Sequence, residues 1–506
     1  MKILSAEQIR ALDAYTIDNE PIASLDLMER ASITFVNWME KNFPSGDFNI
    51  YIFCGPGNNG GDGLAIARLL HHRFYNVILY SCEINSKKSV DYVKNLTRLP
   101  KHALDVQPIF KGDAFPKIEK DAIIIDAIFG SGLNRPVEGY WSELFTFLNE
   151  LPNNIISVDI PSGLFADSIT HGISIQADYT FSFELPKLAF LFPCNQNRLG
   201  KWKFESIQLS QEGLAKLPSN HFFIEKKFIQ QFFKKRNKFD HKGIFGHTLL
   251  ICGSYGKVGA AILAARAALK SGVGLVSIHA PKCAYSILQT TIPEAMVSID
   301  EEEYYFSNSF ENDFLKKFKS IGIGCGLDTK EQSVKALSDL FSKIKTPIVL
   351  DADALNIISR NKNLLDDIPS NSIITPHPKE FERLFGKTQN DMERFELQKS
   401  LSQKHQLYIV LKGANTCITS PEGNAYFNST GNPGMATGGS GDVLTGIISS
   451  FLAQGYNSLQ ASTLGVYLHG LAGDIAVKGS CSEESLVAND LVENLGKAFK
   501  EIKLSD

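Results

Sequence analysis

Long apolar runs are missing from this sequence. No stretch approaches the roughly 20 consecutive apolar residues that span a bilayer, and the opening MKILSAEQIRALDAYTIDNE has no apolar signal core. A soluble, cytoplasmic protein without a membrane partner is expected. An excess of one charge is missing too. The 51 Lys and Arg against 55 Asp and Glu leave a formal charge of -4, which gives no general attraction to nucleic acid or anionic lipid. C-x-x-C pairs are also absent among the eight scattered cysteines. That pattern fits reduced, mostly buried thiols and excludes a disulfide framework or thiolate-held metal. Small molecules are the expected partners, with no nucleic acid.

At 506 residues the chain exceeds one ordinary core, and about 150 residues per domain suggests two or three. Up to about residue 210, apolar β-rich runs alternate with helix-length segments: NIYIFC, NVILYSC, AIIIDAIF, IISVDI and DYTFSF. Such runs predict a parallel sheet covered on both faces. The rhythm breaks over 211–245 into QEGLAKLPSNHFF and the basic KKFIQQFFKKRNKFDHKG, read as a domain boundary whose charges form a solvated helix face. It resumes with HTLLICG, GLVSIHA, SIGIGCG, PIVLDAD, SIITPHP, LYIVLKG and TCITS. Two α/β three-layer domains are expected, over 1–215 and 225–503.

The stretch GPGNNGGDG follows the first of these strands and satisfies G-x-G-x-x-G, with Glu83 placed as a possible ribose ligand. Yet a carboxylate at a helix N-terminus competes with a phosphate for the same positive end. Asp62 therefore argues against a simple dinucleotide motif; a helix-capping role is the plainer alternative. Two further strand ends carry related chemistry. Asp126 precedes an anion-competent turn with Gly130, Ser131, Gly132, Asn134 and Arg135, and Asp159 and Ser162 close VDIPSG. In a parallel sheet the carboxyl ends share one edge, where ligands gather. The oxygen-rich set suits a hard cation.

SAEQIRALD, LMERA, GPGNNGGDGLAIARLL, DAIFGSGLNRP, VDIPSGL and FELPKLAF together resemble the NAD(P)H-hydrate epimerase domain, which has a Rossmann-like fold and interconverts R and S hydrates of reduced nicotinamide nucleotides. The resemblance implies that Asn58, Asn59, Gly60, Gly61 and Asp62 hold the hydrate together with Gly130, Ser131, Gly132, Leu133, Asn134, Arg135 and Pro136. It also implies Asp159 beside the reacting ring, and potassium on Asn59, Asp126 and Ser162. Asp159 is the expected acid/base group, since epimerisation needs proton transfer at that centre.

In the second half, GNPGMATGGSGDVLTG lets the backbone N–H groups of Gly438, Gly439 and Gly441 face an anion at a helix start, with Asp442 able to act as base. A flexible loop with a capping aspartate is the alternative. This is no Walker loop: GSYGKVGA lacks the glycine spacing and the Ser or Thr. The segment resembles the anion hole of ribokinase-like kinases. GAAILAARAALKSGVGLVSI, IPEAM, GIGCGL, VLDADALN, TPHPKEFERL and VLKGANTCI narrow the resemblance to the ADP- or ATP-dependent NAD(P)H-hydrate dehydratase.

That resemblance implies Ala260, Gly326, His377 and Asp442 at the hydrate, and Lys412, Gly413, Ala414, Asn415, Thr416 and Gly441 at ADP or ATP. Magnesium would neutralise the nucleotide phosphates. Lys379 and Cys325 stand where relatives more often carry glycine and proline. His377 could equally be a helix-start residue; His241, His279 and His469 read as structural. The domain order matches bacterial fusions of this repair pair, acting on NADHX and NADPHX, and a homo-oligomer is expected. A Rossmann dehydrogenase fused to a small-molecule kinase, or a nucleotide-sensing binding protein, are the alternatives.

Overall fold

A computed structural model describes residues 1–46, 48–84, 87–99 and 104–503. The chain divides into two compact units, Lys2–Ser219 and Asn220–Asp506, the second including Met1. No helix among the described residues is long and apolar enough to cross a membrane.

The first unit is a seven-stranded sheet of β1 (Asn49–Cys54), β2 (Asn76–Glu83), β3 (Val106–Phe110), β4 (Ile123–Ala127), β5 (Asn154–Val158), β6 (Tyr179–Phe183) and β7 (Lys201–Glu205). Its order is β3-β2-β1-β4-β5-β6-β7, with every pairing parallel. Strand β1 shows why the run is apolar throughout. Ile50, Ile52 and Cys54 join a core with helices Ser24–Asn42 and Asn58–His72 on one face, while Tyr51 and Phe53 join helix Tyr140–Glu150 on the other. This is the expected three-layer arrangement. The order reverses beside β1, so the carboxyl ends of β1 and β4 flank the switch point, where a ligand crevice forms. The five strands expected from apolar runs are present. The outer β3 and β7 were not expected, because VQPIF and KWKFE are partly polar and need bury only one side.

The second unit has ten strands: β8 (His221–Ile224), β9 (His247–Ile251), β10 (Leu275–Ala280), β11 (Met296–Ile299), β12 (Ser320–Ile323), β13 (Val349–Leu350), β14 (Ile373–Ile374), β15 (Tyr408–Leu411), β16 (Cys417–Thr419) and β17 (Ala425–Asn428). Their order is β11-β10-β9-β12-β13-β14-β15-β16-β17-β8. Among the described residues, only the β15–β16 and β16–β17 pairings are antiparallel. Leu249 and Ile251 of β9 pack with β12 and with helices Glu331–Lys343 and Ala352–Arg360, whereas Leu250 and Cys252 face helix Val258–Lys270. The switch in strand order lies between β9 and β12. Strand β8 precedes residue 225 and pairs with β17. Part of the segment read as a boundary is therefore an edge strand of this sheet, reinforced by Phe223 N–H donating to the Met1 carbonyl at 2.8 Å.

Candidate active sites

At the crevice of the first sheet, helix Asn58–His72 begins directly after β1, with Gly57 as its N-cap. Asn58 to Asp62 thus form its opening turn, and Asp62 does not cap it. Glycine is needed here by close approach. A Cβ on Gly60 would sit 1.7 Å from the Gly55 carbonyl oxygen, and one on Gly55 would sit 2.0 Å from that of Ile128. The helix start, the end of β1 and the loop after β4 are therefore pressed together. Gly130 packs on Asn59, whose Cβ would lie 3.3 Å from a Cβ on Gly130. From there Ser131 to Pro136 run outward as a largely exposed turn.

Asp126, at the end of β4, is wholly buried. It accepts from Ile128 N–H (3.2 Å), Ser157 Oγ (2.8 Å), Ser162 N–H (2.8 Å) and Ser162 Oγ (2.5 Å). Ser162 Oγ also accepts from Phe129 N–H at 2.7 Å. Burial pushes the Asp126 carboxyl up in spite of these hydrogen bonds, and none of the partners is a cation. Asn59 is buried with its Nδ2 unpaired among the described residues; turning the amide offers its oxygen instead. A buried carboxylate short of positive charge, among hydroxyl, carbonyl and amide oxygens, fits a monovalent cation on Asn59, Asp126 and Ser162.

Asp159 follows β5 in the left-handed region, φ 67°, a strained conformation for a non-glycine residue. Its Oδ1 accepts from Lys187 Nζ, and Lys187 is itself only 1% exposed and hydrogen-bonded to Ser182 Oγ at 2.6 Å. Glu83, the ribose ligand of the dinucleotide reading, ends β2 paired with Lys88 at 2.6 Å and Ser81.

In the second unit, helix Ser440–Ala453 starts at Gly439, whose φ of 91° requires glycine. Asp442 lies in its first turn. Burial, then Asp351 and Asp353, push its carboxyl up to about 6, against the opposing pull of the Cys325 thiol and Lys412. A Cβ on Gly441 would sit 3.3 Å from both Asp351 Oδ2 and Lys412 Nζ, which places these groups at the glycine loop. Lys412 donates to Asp351 Oδ1 at 2.7 Å and lies 3.8 Å from Glu380. Burial alone would lower it, but the two carboxylates outweigh burial and hold it above the usual lysine value.

Gly413 to Thr416 form the turn after β15, closed by Thr416 Oγ1 donating to the Gly413 carbonyl at 2.9 Å. Gly326 (φ 62°) and Ala260 meet across the crevice, a Cβ on Gly326 lying 3.1 Å from that of Ala260. His377 is the N-cap of helix Pro378–Phe385; its Nδ1 accepts from the N–H groups of Lys379 (3.1 Å) and Glu380 (3.4 Å). The helix-start role is thus filled, with the ring beside Glu380. Among these groups, Asp351 and Glu380 supply hard oxygens near the glycine loop that fit a divalent ion carried by a nucleotide.

The sequence was compared with known proteins. Residues 248–496 match the family model described as NAD(P)H-hydrate dehydratase, and residues 24–189 that described as YjeF-related protein N-terminus. The bifunctional NAD(P)H-hydrate repair enzyme Nnr of Moorella thermoacetica is 33% identical over 517 residues, spanning 99% of this chain and 97% of the relative. The enzyme of that name from Escherichia coli is 31% identical, spanning 97% and 92%. The chain belongs to the bifunctional NAD(P)H-hydrate repair family. Among solved structures, the ADP/ATP-dependent NAD(P)H-hydrate dehydratase of Bacillus subtilis co-crystallised with ATP/Mg2+ is 30% identical and covers 56% of this chain and 99% of its own, with a TM-score of 0.48.

Several residues escaped the reading of this repair-family sequence. Asp13, on helix Ala6–Asn19, is pushed up to about 7 by burial and by the nearby Asp159 charge, with Lys187 opposing. The same helix anchors its first N–H on Asp167 at 2.8 Å, packs Ala6 against Ile160 and Ala189, and brings Arg10 Nη1 to 3.9 Å from a Cβ position on Gly132. Positions 6, 10 and 13 share one helical face, so this face overlooks the strand ends. Lys187 lay inside FELPKLAF, but its burial against Asp159 is a tertiary fact. Asp351 in VLDAD was likewise readable only as a strand end.

Proposed function

We propose that the N-terminal site carries the epimerisation of R and S NAD(P)H hydrate and that the C-terminal site dehydrates the S epimer at the expense of ADP or ATP. The protein is thus an isomerase and a lyase in one chain. The observation that carries the second half is Asp442, with a carboxyl near 6, in the opening turn of the helix that follows the glycine loop. At neutral pH it is mostly ionised yet basic enough to accept a proton.

In this reading the loop N–H groups and Lys412 bind the nucleotide phosphates. Asp442 takes the proton of the ring hydroxyl as that oxygen attacks the terminal phosphorus, releasing AMP from ADP. The phosphate is then a leaving group that the electron-rich ring expels, and loss of a ring proton restores the double bond. Asp351 and Glu380 would hold magnesium, which would supply charge neutralisation on the nucleotide phosphates.

In the epimerase site Asp159 accepts and returns the proton, held by Lys187 in its aim. Asp13, half protonated near neutrality, stands as a second proton group, and Arg10 beside Gly132 suits a phosphate of the substrate. Asn59, Asp126 and Ser162 would hold potassium, which would supply positive charge near the bound hydrate. The deciding experiment incubates purified protein with mixed hydrates and ADP and follows recovery of reduced-nicotinamide absorbance. Full recovery supports both activities, recovery of only the S share removes the epimerase, and none removes the dehydratase.

A further inference from the structure

The basic segment that follows β8 is not merely a solvated face. Lys234, Lys235 and Arg236 from it line a cavity of about 640 Å³, together with Lys270 and Lys503, and none of the described lining residues is acidic. The volume is that of a small-molecule site. Its floor is aromatic: Phe233, Phe499, Phe451 and Tyr456 follow one another at ring separations of 6.0, 6.2 and 5.4 Å, Phe233 and Phe499 partly exposed and the other two buried beneath them.

Two of the cations are held on neutral acceptors. Lys234 donates to the Gln454 and Gly455 carbonyls at 3.2 and 2.7 Å and lies 4.3 Å over the Tyr456 ring; Arg236 bonds the Gly272 carbonyl and Gln454 Oε1. These contacts cap the C-terminal ends of helices Val258–Lys270 and Ser440–Ala453 but leave the positive charge unneutralised. Lys270 has an exposed carboxylate at 3.8 Å, that of Glu493. Among the described residues no ion pair engages Lys235 or Lys503.

A second observation lies at the cavity wall. Ser271, 1% exposed, lines the cavity with a buried hydroxyl that has no partner among the described residues. A buried hydroxyl without a partner costs free energy that a ligand acceptor would recover. The cavity lies at the far ends of the two helices whose first turns build the glycine-loop crevice. Those helices, 13 and 14 residues long, rise about 1.5 Å per residue, which puts it roughly 20 Å from Asp442. It is not the dehydratase site.

From the ring floor, the cationic rim and the unpaired Ser271 hydroxyl, we propose that this cavity is a second nucleotide site, taking a nucleoside phosphate with its base on Phe233 and Phe499 and its phosphates on Lys235, Lys270 and Lys503. Stacking supplies affinity for the base and the cations for the phosphates. An inorganic anion satisfies only the rim, and a nucleoside only the floor.

Equilibrium dialysis of the full chain with ADP tests this, comparing wild type with the triple variant Lys235→Glu, Lys270→Glu, Lys503→Glu, whose exposed side chains line a cavity roughly 20 Å from Asp442. The expected result is one fewer ADP bound per chain at concentrations that saturate wild type, a loss of at least tenfold in that affinity, and an unchanged KM for ADP in dehydration. Ser271→Ala, which leaves the surface intact, should weaken the same equivalent severalfold. Equal stoichiometry and affinity in wild type and the triple variant would overturn the proposal. So would tripolyphosphate or adenosine competing for that equivalent as well as ADP does, since either would mean that one half of the recognition is absent.

Discussion

Asp442 is costly to keep where it is. Its carboxyl titrates near 6 in the folded chain, burial being the main cause, against about 3.9 in an unfolded one. The folded state therefore binds the proton more tightly, and stability contributed by the protonated group is lost as pH rises from about 4 through 6. Asp442→Asn removes that loss. Above pH 6 the variant should melt higher, by on the order of 1–3 kcal/mol in stability, while dehydration falls by about two to four powers of ten. In wild type, dehydration should rise with pH through about 6 and then level off. A variant that neither gains stability nor loses rate would take Asp442 out of both roles. Asp126 makes a parallel case in the other unit. A buried carboxylate with only neutral donors is stabilised by a cation beside it, and under the proposed potassium site exchanging potassium for a large organic cation should slow epimer exchange and leave dehydration of pure S hydrate unchanged.

Individual elements position these residues by contact rather than by propensity, and the glycines show which effect wins. On propensity alone, Gly60→Ala inside a helix gains up to about 1 kcal/mol. The new Cβ would meet the Gly55 carbonyl at 1.7 Å, backbone against backbone, and such overpacking costs about 1–3 kcal/mol or more. The variant should therefore lose stability in the first unit and lose epimer exchange, with dehydration retained; a stabilised, active variant would show that helix and strand are not pressed together. The same distinction sets what was legible in the sequence. Runs such as AIIIDAIF declare themselves because a central strand is buried on both faces, and the strand ends after β1, β4 and β5 follow from them. Strands β3, β7, β8 and β11 carry exposed or polar residues and were missed, because an edge need bury only one side; the internal β17, only four residues long, was missed as well. GPGNNGGDG could be recognised as a site, but not the start of its helix at Asn58, which makes Asp62 a fifth helical residue instead of a cap. Asp13 was beyond reach: nothing in AEQIRALD says which strand ends its helix will overlook.

For the molecule as a whole, the two sites belong to separate sheets, each with its own switch in strand order and its own core. The epimerase product is the dehydratase substrate, and it is a small diffusible molecule. If the sites act independently, a chain lacking one activity is complemented by a chain lacking the other. Asp159→Asn keeps the shape of the side chain and removes its basicity, so this variant should convert only the S share of a mixed hydrate promptly. Asp442→Asn should exchange epimers and recover almost no NAD(P)H. Mixed in equal amounts, the two variants should repair the whole mixture, at about half the rate of the same total concentration of wild type, because half of the chains carry each working site. The check is the absorbance trace of the mixture against each variant alone. A mixture that stops at the S share would mean that the hydrate passes between the sites of one chain without release, and the account of two independent sites would fail.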